Sequence, residues 1–308
     1  MKDFFIDGTF VITYDEFVNH INSGSVFSGP YGKILSIIQQ LTLDEKFSNI
    51  RELVTYLRQN NHKLITIKTS GTTGEAKVIN QTLKNVTRQV RKMSESEVWA
   101  FAYNPEHFAG LQVLFQAIMN FNSIVYVFDK DFSKMPEMLE KNSVSRISCT
   151  PTFMKMLLPN VNNFHSLKSV SFGGERLSEE LVKKTKLVFP NVKIRNIYAS
   201  SEAGSLLASS GEEFFIPKRH ANVIKIINNE LCIHNSLLGE FKMDEEWYHT
   251  GDMVILTNEN KFIFDSRKSE IINIGGYRVS PAKVENFISS IKGVKDVVEA
   301  DDDDGSVC

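Results

Sequence analysis

From Lys63 onward the hydrophobic and polar positions switch back and forth between two periods. Short runs rich in β-branched and aromatic residues, "KLITIK", "EVWAFAY", "SIVYVF", "RISCTP", "KSVSFGGE" and "VKIRNIYASSE", read as strands. Between them lie helix-length apolar or amphipathic runs, "LQVLFQAIM", "PEMLEKN", "TFMKMLL" and "EELVKKTKLVF". Behind Thr82, a candidate N-cap, Leu83, Val86, Val90 and Met93 recur at helical spacing and predict a helix packed by one face. This alternation predicts an α/β fold, sheets covered by helices and largely parallel, with the loops at the carboxyl ends of the strands forming a ligand crevice.

Beyond about Glu213 the helical pattern stops, and "VIKIINNELCIHN" reads as two strands turning at Asn228-Asn229 within a small β-rich subdomain. The character changes again near Asp265 to Ser269. "RVSPAKVENFISSIKGV" offers Ser280 as N-cap, Pro281 at the first helical position, an apolar face of Val284, Phe287, Ile288 and Ile291, and Gly293 as the stop. A hinge ahead of that helix divides the chain into residues 1–268 and 269–308. The final "VVEADDDDGSVC" starts like a strand and ends in four aspartates that read as a solvated turn.

Composition changes the picture mainly by exclusion. With 308 residues, 42% hydrophobic and 23% charged, the chain has the make-up of a soluble globular protein with a substantial core. A formal charge of -2 leaves no global basic field, which argues against nucleic acid and anionic membrane as main partners. Lysine pairs such as Lys183-Lys184 read as solvated helix faces. Cys149, Cys232 and Cys308 are odd in number and widely spaced, which fits neither a disulfide framework nor a zinc site and points to a reducing cytoplasm. Asp3 and Asp7 interrupt the first residues where a signal peptide needs an apolar run, and no run is long enough to span a bilayer.

The densest chemistry lies in "TSGTTGEAK", Thr69 to Lys77. A nucleotide-kinase P-loop needs Gly-Lys followed by Ser or Thr, but Glu75 and Ala76 separate Gly74 from Lys77, and Val78 follows. The stretch still suits a phosphate: Gly71 and Gly74 let the backbone approach an anion, Ser70, Thr72 and Thr73 donate hydrogen bonds, and Lys77 supplies charge. Alone, it reads more readily as a Thr-Gly-rich surface turn than as a phosphate site. It is accompanied by Gly173-Gly174-Glu175 at the end of "KSVSF", by Tyr198 and Glu202 in "NIYASSE", by Asp252 in "YHTGD", and by Arg267 in "DSRKSEIINIGGYRVSPAKVE".

Taken in this order, from about Lys63 to Val298, the motifs resemble the adenylate-forming superfamily of acyl- and aryl-CoA ligases, nonribosomal peptide adenylation domains and luciferases. The resemblance implies a core, residues 1–268, holding ATP and acid, and in residues 269–308 the start of a mobile α+β lid. It implies that Thr69, Ser70, Gly71, Thr72, Thr73, Gly74 and Lys77 close over the β- and γ-phosphates. Gly173, Gly174 and Glu175 would line the adenine pocket, Tyr198 would stack on the base, Asn196 would meet its amino edge, and Ala199, Ser200 and Ser201 would flank them. Glu202 would help to hold Mg2+, and Asp252 and Arg267 would reach the ribose. His107, Phe108 and Gly110 in "EHFAG", with Ala199, would line the acid pocket. The implied reaction is attack of a small carboxylic acid on the α-phosphorus of ATP, giving an acyl-adenylate and pyrophosphate, with Lys77 and Glu202 as catalytic groups. A thiol of CoA or of a carrier protein's phosphopantetheine would then displace AMP.

The sequence departs from this pattern in places. "YASSE" stands for Tyr-Gly-x-Thr-Glu, Ser266 replaces a glycine, the hinge position is Ser269, and Asn273 and Gly275 stand where basic residues are frequent. The segment ahead of the glycine loop is short, as in compact members such as o-succinylbenzoate-CoA ligases. Lys283, Lys292 and Lys295 match nothing in the family's late motif, whose lysine bridges the carboxylate and the α-phosphate. The expectation is therefore a chain that binds ATP and acid but adenylates poorly, through truncation, slow chemistry or a site completed by another subunit. The alternative is a non-catalytic or partner-dependent protein that binds AMP or an acyl-adenylate. A kinase would release ADP rather than AMP.

Overall fold

The computed structural model describes residues 2–43, 45–69, 77–162, 164–239, 244–268, 272–274, 277–279, 284 and 288. The glycine loop, Ser70 to Gly74, lies outside the described residues, as do most of the expected carboxyl-terminal helix, the hinge at Ser269 and the tail ending in Cys308. Val284 and Ile288, four residues apart on the expected apolar face, have helical backbone.

The amino-terminal region, for which the sequence reading offers no elements, begins with β1 (Asp3–Asp7), β2 (Phe10–Thr13), α1 (Tyr14–Ser23), α2 (Gly29–Leu41) and α3 (Ile50–Gln59). Local signals set these boundaries. Thr13 and Glu16 form a reciprocal capping box at the start of α1, and Gly24 closes it in the left-handed conformation at φ 65°. β3 (Leu64–Thr69) and β4 (Lys77–Thr82) then pair antiparallel, with Thr69 opposite Lys77. The expected helix follows β4 directly but is short. Thr82 caps it as anticipated, accepting from the Asn85 amide, yet α4 spans only Leu83–Thr87.

Next come β5 (Val98–Phe101), α5 (Phe108–Ile118), β6 (Ser123–Tyr126), α6 (Met135–Lys141), β7 (Arg146–Cys149), α7 (Pro151–Leu157), β8 (Ser169–Gly173), α8 (Glu179–Val188), β9 (Lys193–Ser200) and β10 (Gly204–Ser209). They build an eight-stranded sheet in the order β10-β9-β8-β7-β5-β6-β1-β2, parallel except at its two edges, where β10 and β2 run antiparallel to their neighbours. The period-2 alternation is used on both faces. Trp99, Phe101, Ile124 and Tyr126 point into a core with α1, α2, α3 and α5, while Ala100, Val125, Ile147 and Cys149 point into a second core with residues of α6, α7 and α8. On α8, Lys183 and Lys184 sit on the solvent face, paired with Glu179 and Glu180 one turn back. Because β6 and β7 flank β5 on opposite sides, the chain leaves β5 and β7 in opposite directions. Their carboxyl ends form a topological switch point, where open α/β sheets bind ligands.

Beyond β11 (Phe214–Phe215) the chain is β-rich: β12 (Ile224–Ile227), β13 (Glu230–His234), β14 (Trp247–Asn258) and β15 (Lys261–Arg267) complete an antiparallel sheet in the order β11-β15-β14-β13-β12. β12 and β13 turn at Asn228 and Asn229, both left-handed at φ 50° and 62°, as the paired asparagines predict. β16 (Ile272–Ile274) and β17 (Tyr277–Val279) form a separate hairpin. Two compact units result, Met1–Phe214 with Ser236–Asp244, and Phe215–Asn235 with Glu245–Cys308. Among the described residues no helix is long and apolar enough to cross a membrane.

Candidate active site

In the larger unit, the carboxyl ends of four adjacent parallel strands converge. A Cβ built on Gly173, the last residue of β8, would lie 3.5 Å from the Ile197 carbonyl oxygen of β9 and 3.9 Å from the Tyr103 hydroxyl just past β5. One on Gly174, whose φ is +84°, would lie 3.8 Å from Thr150 Cγ2 at the end of β7. These are ordinary contact distances, so space does not demand glycine at either position; what favours it at Gly174 is the positive φ. Burial holds the Tyr103 phenol far above its ordinary pKa, so it remains protonated. Glu175 has a visible structural duty: its Oε2 accepts from the Thr152 amide at 2.9 Å and the Thr152 hydroxyl at 2.7 Å, tying the loop after β8 to the first turn of α7.

The turn from β9 to β10 carries Ser200, Ser201 and Glu202. Ser200 pairs with Gly204 across the ladder, and its Oγ accepts from the Ala203 amide at 3.1 Å. Gly204 has φ +76°, and a Cβ there would press within 3.4 Å of the Phe108 ring. Phe108 opens α5 and belongs to the same core against which Ala199 packs, so two expected acid-pocket residues lie directly beneath this turn. His107 is exposed at the N-cap position of α5 and makes no side-chain capping bond. Gly110 is there because a Cβ would fall 2.2 Å from the Asn104 carbonyl oxygen. Tyr198 is half-buried opposite Leu207. Asn196 is buried, and its Nδ2 donates to the Gly211 carbonyl at 2.9 Å, so part of its amide is used within the fold.

Sequence reasoning missed a set of residues holding the Glu202 turn. Gln81, fully buried on β4, donates through Nε2 to the Ser201 carbonyl at 2.7 Å and the Glu202 carbonyl at 2.6 Å. Asn85 Nδ2 donates to Gln81 Oε1, and Arg88 donates to Asn85 Oδ1 and to the Ala203 carbonyl. No local pattern marked it, because on β4 Gln81 shares its face with Lys77 as well as Ile79, and a polar residue there does not stand out.

The smaller unit holds the other two expected nucleotide residues. Asp252 and Arg267 face each other across the β14–β15 ladder with Nε to Oδ1 at 3.0 Å. The Asp252 turn is fixed from beneath. Thr250 Oγ1 accepts from the Asp252 amide and donates to the Leu231 carbonyl, while Glu230 Oε1 accepts from the amide of Gly251, which stands at φ +77°. Burial by itself raises the Glu230 pKa, but the Gly251 and His249 hydrogen bonds, with the His249 and Lys268 charges, outweigh it and hold the carboxyl below its usual range. Among the described residues, no group of three or more His, Cys, Asp or Glu could hold a metal ion by itself.

The larger unit is an open α/β sheet whose glycine pair follows β8, beside the switch point at which sheets of this kind bind ligands. A family model described as "AMP-binding enzyme" matches residues 38–254, and the chain belongs to that family. It is similar to the 2-succinylbenzoate–CoA ligase of Listeria monocytogenes serotype 4b (strain F2365), 26% identical over 274 residues, covering 78% of this chain and 57% of the relative. It is also similar to the D-alanine–D-alanyl carrier protein ligase of Staphylococcus epidermidis (strain ATCC 35984), 28% identical over 286 residues, again 78% of this chain and 57% of the relative. The chain thus spans little more than half the length of these curated relatives. Among solved structures, the O-succinylbenzoate coenzyme A synthetase of Bacillus subtilis in complex with ATP and magnesium ion shares the fold, with a TM-score of 0.72 at 17% identity over 98% of this chain and 85% of that one.

Proposed function

We propose that the chain carries the adenylating site of an AMP-forming acid–thiol ligase: it activates a small carboxylic acid with ATP and Mg2+, releasing pyrophosphate, and passes the acyl group to a thiol of CoA or of a carrier protein. The observation that carries this reading is the family match across residues 38–254, supported by the position of Gly173-Gly174 and of the Glu202 turn after the carboxyl ends of the adjacent parallel strands β8 and β9. The relatives named for a CoA ligase and for a carrier-protein ligase support both acceptors.

The residues fit the groups they would hold. Glu202 is half-buried on its turn, and no described residue hydrogen-bonds or ion-pairs with its carboxylate, which suits one protein ligand to a magnesium ion otherwise coordinated by phosphate oxygens and water. The metal would neutralise charge on the triphosphate. Residues Thr69 to Lys77 would close over the outer phosphates, Tyr198 would meet the base, and Asp252 and Arg267 would meet the ribose. His107, Phe108, Gly110 and Ala199 would flank the acid. Catalysis of this kind rests on positioning and electrostatic stabilisation rather than on a protein nucleophile.

The deciding experiment is acid-dependent pyrophosphate release from ATP and magnesium, with hydroxylamine to trap the acyl-adenylate. The panel covers aryl, short-chain and long-chain acids and includes 2-succinylbenzoate and D-alanine. Release with one acid class is expected and names the substrate. Silence across the panel, with AMP binding intact, would replace this reading by that of an AMP-binding protein.

A further inference from the structure

We infer that Gln81, with Asn85 and Arg88, is a positioning device that presets the backbone at Glu202; the inference rests on the proposed role of Glu202 as magnesium ligand. Three consecutive carbonyls of the turn are captured from one short stretch of chain, Ser201 and Glu202 by the two N–H bonds of Gln81 on β4, and Ala203 by Arg88 Nη1, just past α4, at 3.0 Å. A carbonyl only accepts, so two carbonyls at hydrogen-bond distance from one amide nitrogen fix which end of the Gln81 side chain faces the turn. Its Oε1 is used as well, by Asn85 Nδ2 at 3.1 Å, and Asn85 Oδ1 takes Arg88 Nη2 at 2.6 Å. The network therefore closes on itself.

The consequence concerns two dihedrals. Fixing the carbonyl of residue 201 and that of residue 202 fixes the peptide planes on both sides of the Glu202 Cα, and with them its φ and ψ. The direction of its Cα–Cβ bond follows. The Glu202 carbonyl receives a second donor, the Gly239 amide at 2.8 Å, so both of its lone pairs are engaged. Space is as tight as the bonding: a Cβ on Gly239 would lie 2.7 Å from Gln81 Nε2, and one on Gly204 would lie 3.3 Å from the Asn85 carbonyl oxygen.

Gln81 also sits four residues beyond Lys77 on β4, the strand that leaves the glycine loop. The strand pair flanking that loop and the turn bearing Glu202 are thus joined through one buried amide. A metal held between a carboxylate and phosphate oxygens needs both parts in register, and preset backbone geometry removes the cost of ordering the turn when MgATP arrives.

The test uses the full chain, calorimetric binding of AMP and of ATP, and a magnesium titration of ATP binding, none of which requires turnover. Gln81→Leu is expected to leave AMP affinity within about twofold and to raise the magnesium midpoint about tenfold. In a Glu202→Gln background it should add no further shift, because the two residues would act as one unit. An unchanged midpoint in a folded Gln81→Leu protein, or the same shift in the Glu202→Gln background, overturns the inference. Should Gln81→Leu fail to fold, Gln81→Met, which removes both donors from the Ser201 and Glu202 carbonyls while keeping an unbranched side chain of similar length, is held to the same outcomes. In the wild-type chain, the Ala203 and Gly239 amides should exchange slowly before any ATP is added, and exchange at free-loop rates overturns the preset geometry. If ATP binding by the wild type ignores magnesium while AMP binds, the role of Glu202 fails and takes this inference with it. Magnesium dependence with unshifted variants overturns the positioning role alone.

Discussion

Arg267 Nε meets Asp252 Oδ1 at 3.0 Å across paired positions of β14 and β15, with the Asp252 side chain 15% exposed and that of Arg267 47% exposed. An ion pair this open to solvent contributes about 0–1 kcal/mol to stability, so the pairing is better understood as an arrangement of polar groups than as a staple. Asp252→Ala should therefore lower the melting temperature little while reducing AMP affinity about tenfold, about 1.4 kcal/mol. Calorimetry on wild type and variant checks this. Equal AMP affinity would remove Asp252 from the ribose.

The parts of the fold legible in the sequence were those set by local chemistry. The Asn228-Asn229 turn follows from the tolerance of asparagine for positive φ, and the Lys183 and Lys184 faces follow from helical spacing. The longer helix expected after Thr82 shows how spacing misleads. Val90 and Met93 do pack on the core, but in irregular chain whose Arg91 and Met93 amides bond to the Gln116 and Asn120 side chains of the region around α5. Burial met the apolar pattern without a helix. Glu175 and Gln81 were illegible as structural residues for a different reason. Their partners lie 23 and 120 or more positions away, at distances no local pattern encodes.

The Glu230 carboxylate makes a pH prediction for the smaller unit. It accepts from Gly251 N at 2.8 Å and lies 3.1 Å from His249 Nδ1 and 3.9 Å from Lys268 Nζ, with the Cys232 thiol also against His249. Because its folded-state pKa is depressed, its contribution is fully present above the unfolded carboxyl pKa, about 4.3, and is lost as pH falls through the lower folded value. Glu230→Gln should lower stability at neutral pH by about 1–3 kcal/mol and flatten the acid limb of a melting-temperature profile below about pH 4.3, the unfolded carboxyl pKa. An acid limb of the same slope in both proteins would contradict the assignment.

Gly110 makes a steric prediction. A methyl group there would meet the Asn104 carbonyl oxygen at 2.2 Å and the Pro105 Cα at 3.1 Å, both backbone atoms that cannot swing aside. Gly110→Ala gains about 1 kcal/mol of helix propensity but must displace the loop that leads from β5 into α5, an overpacking cost of about 1–3 kcal/mol or more. The net effect should be a melting temperature lower by several degrees, together with weaker acid-dependent turnover, since the displaced loop carries His107. A more stable Gly110→Ala protein would show that the loop yields freely.

Glu202→Gln separates metal binding from nucleotide binding within the proposed reaction. The substitution keeps the size of the side chain and leaves the turn's carbonyls to Gln81, Arg88 and Gly239, so the fold and the strand ends around Tyr198 should be unaffected. What changes is one negative charge. Magnesium prefers charged oxygen ligands, so pyrophosphate release should fall more than about tenfold, the scale at which even supporting groups around a bound metal act, with partial recovery as magnesium is raised. AMP, which needs no metal, should bind within about twofold of wild type. Equal loss of AMP affinity and of turnover would mean that Glu202 supports the pocket as a whole, and the metal ligand would then have to be sought elsewhere on the chain.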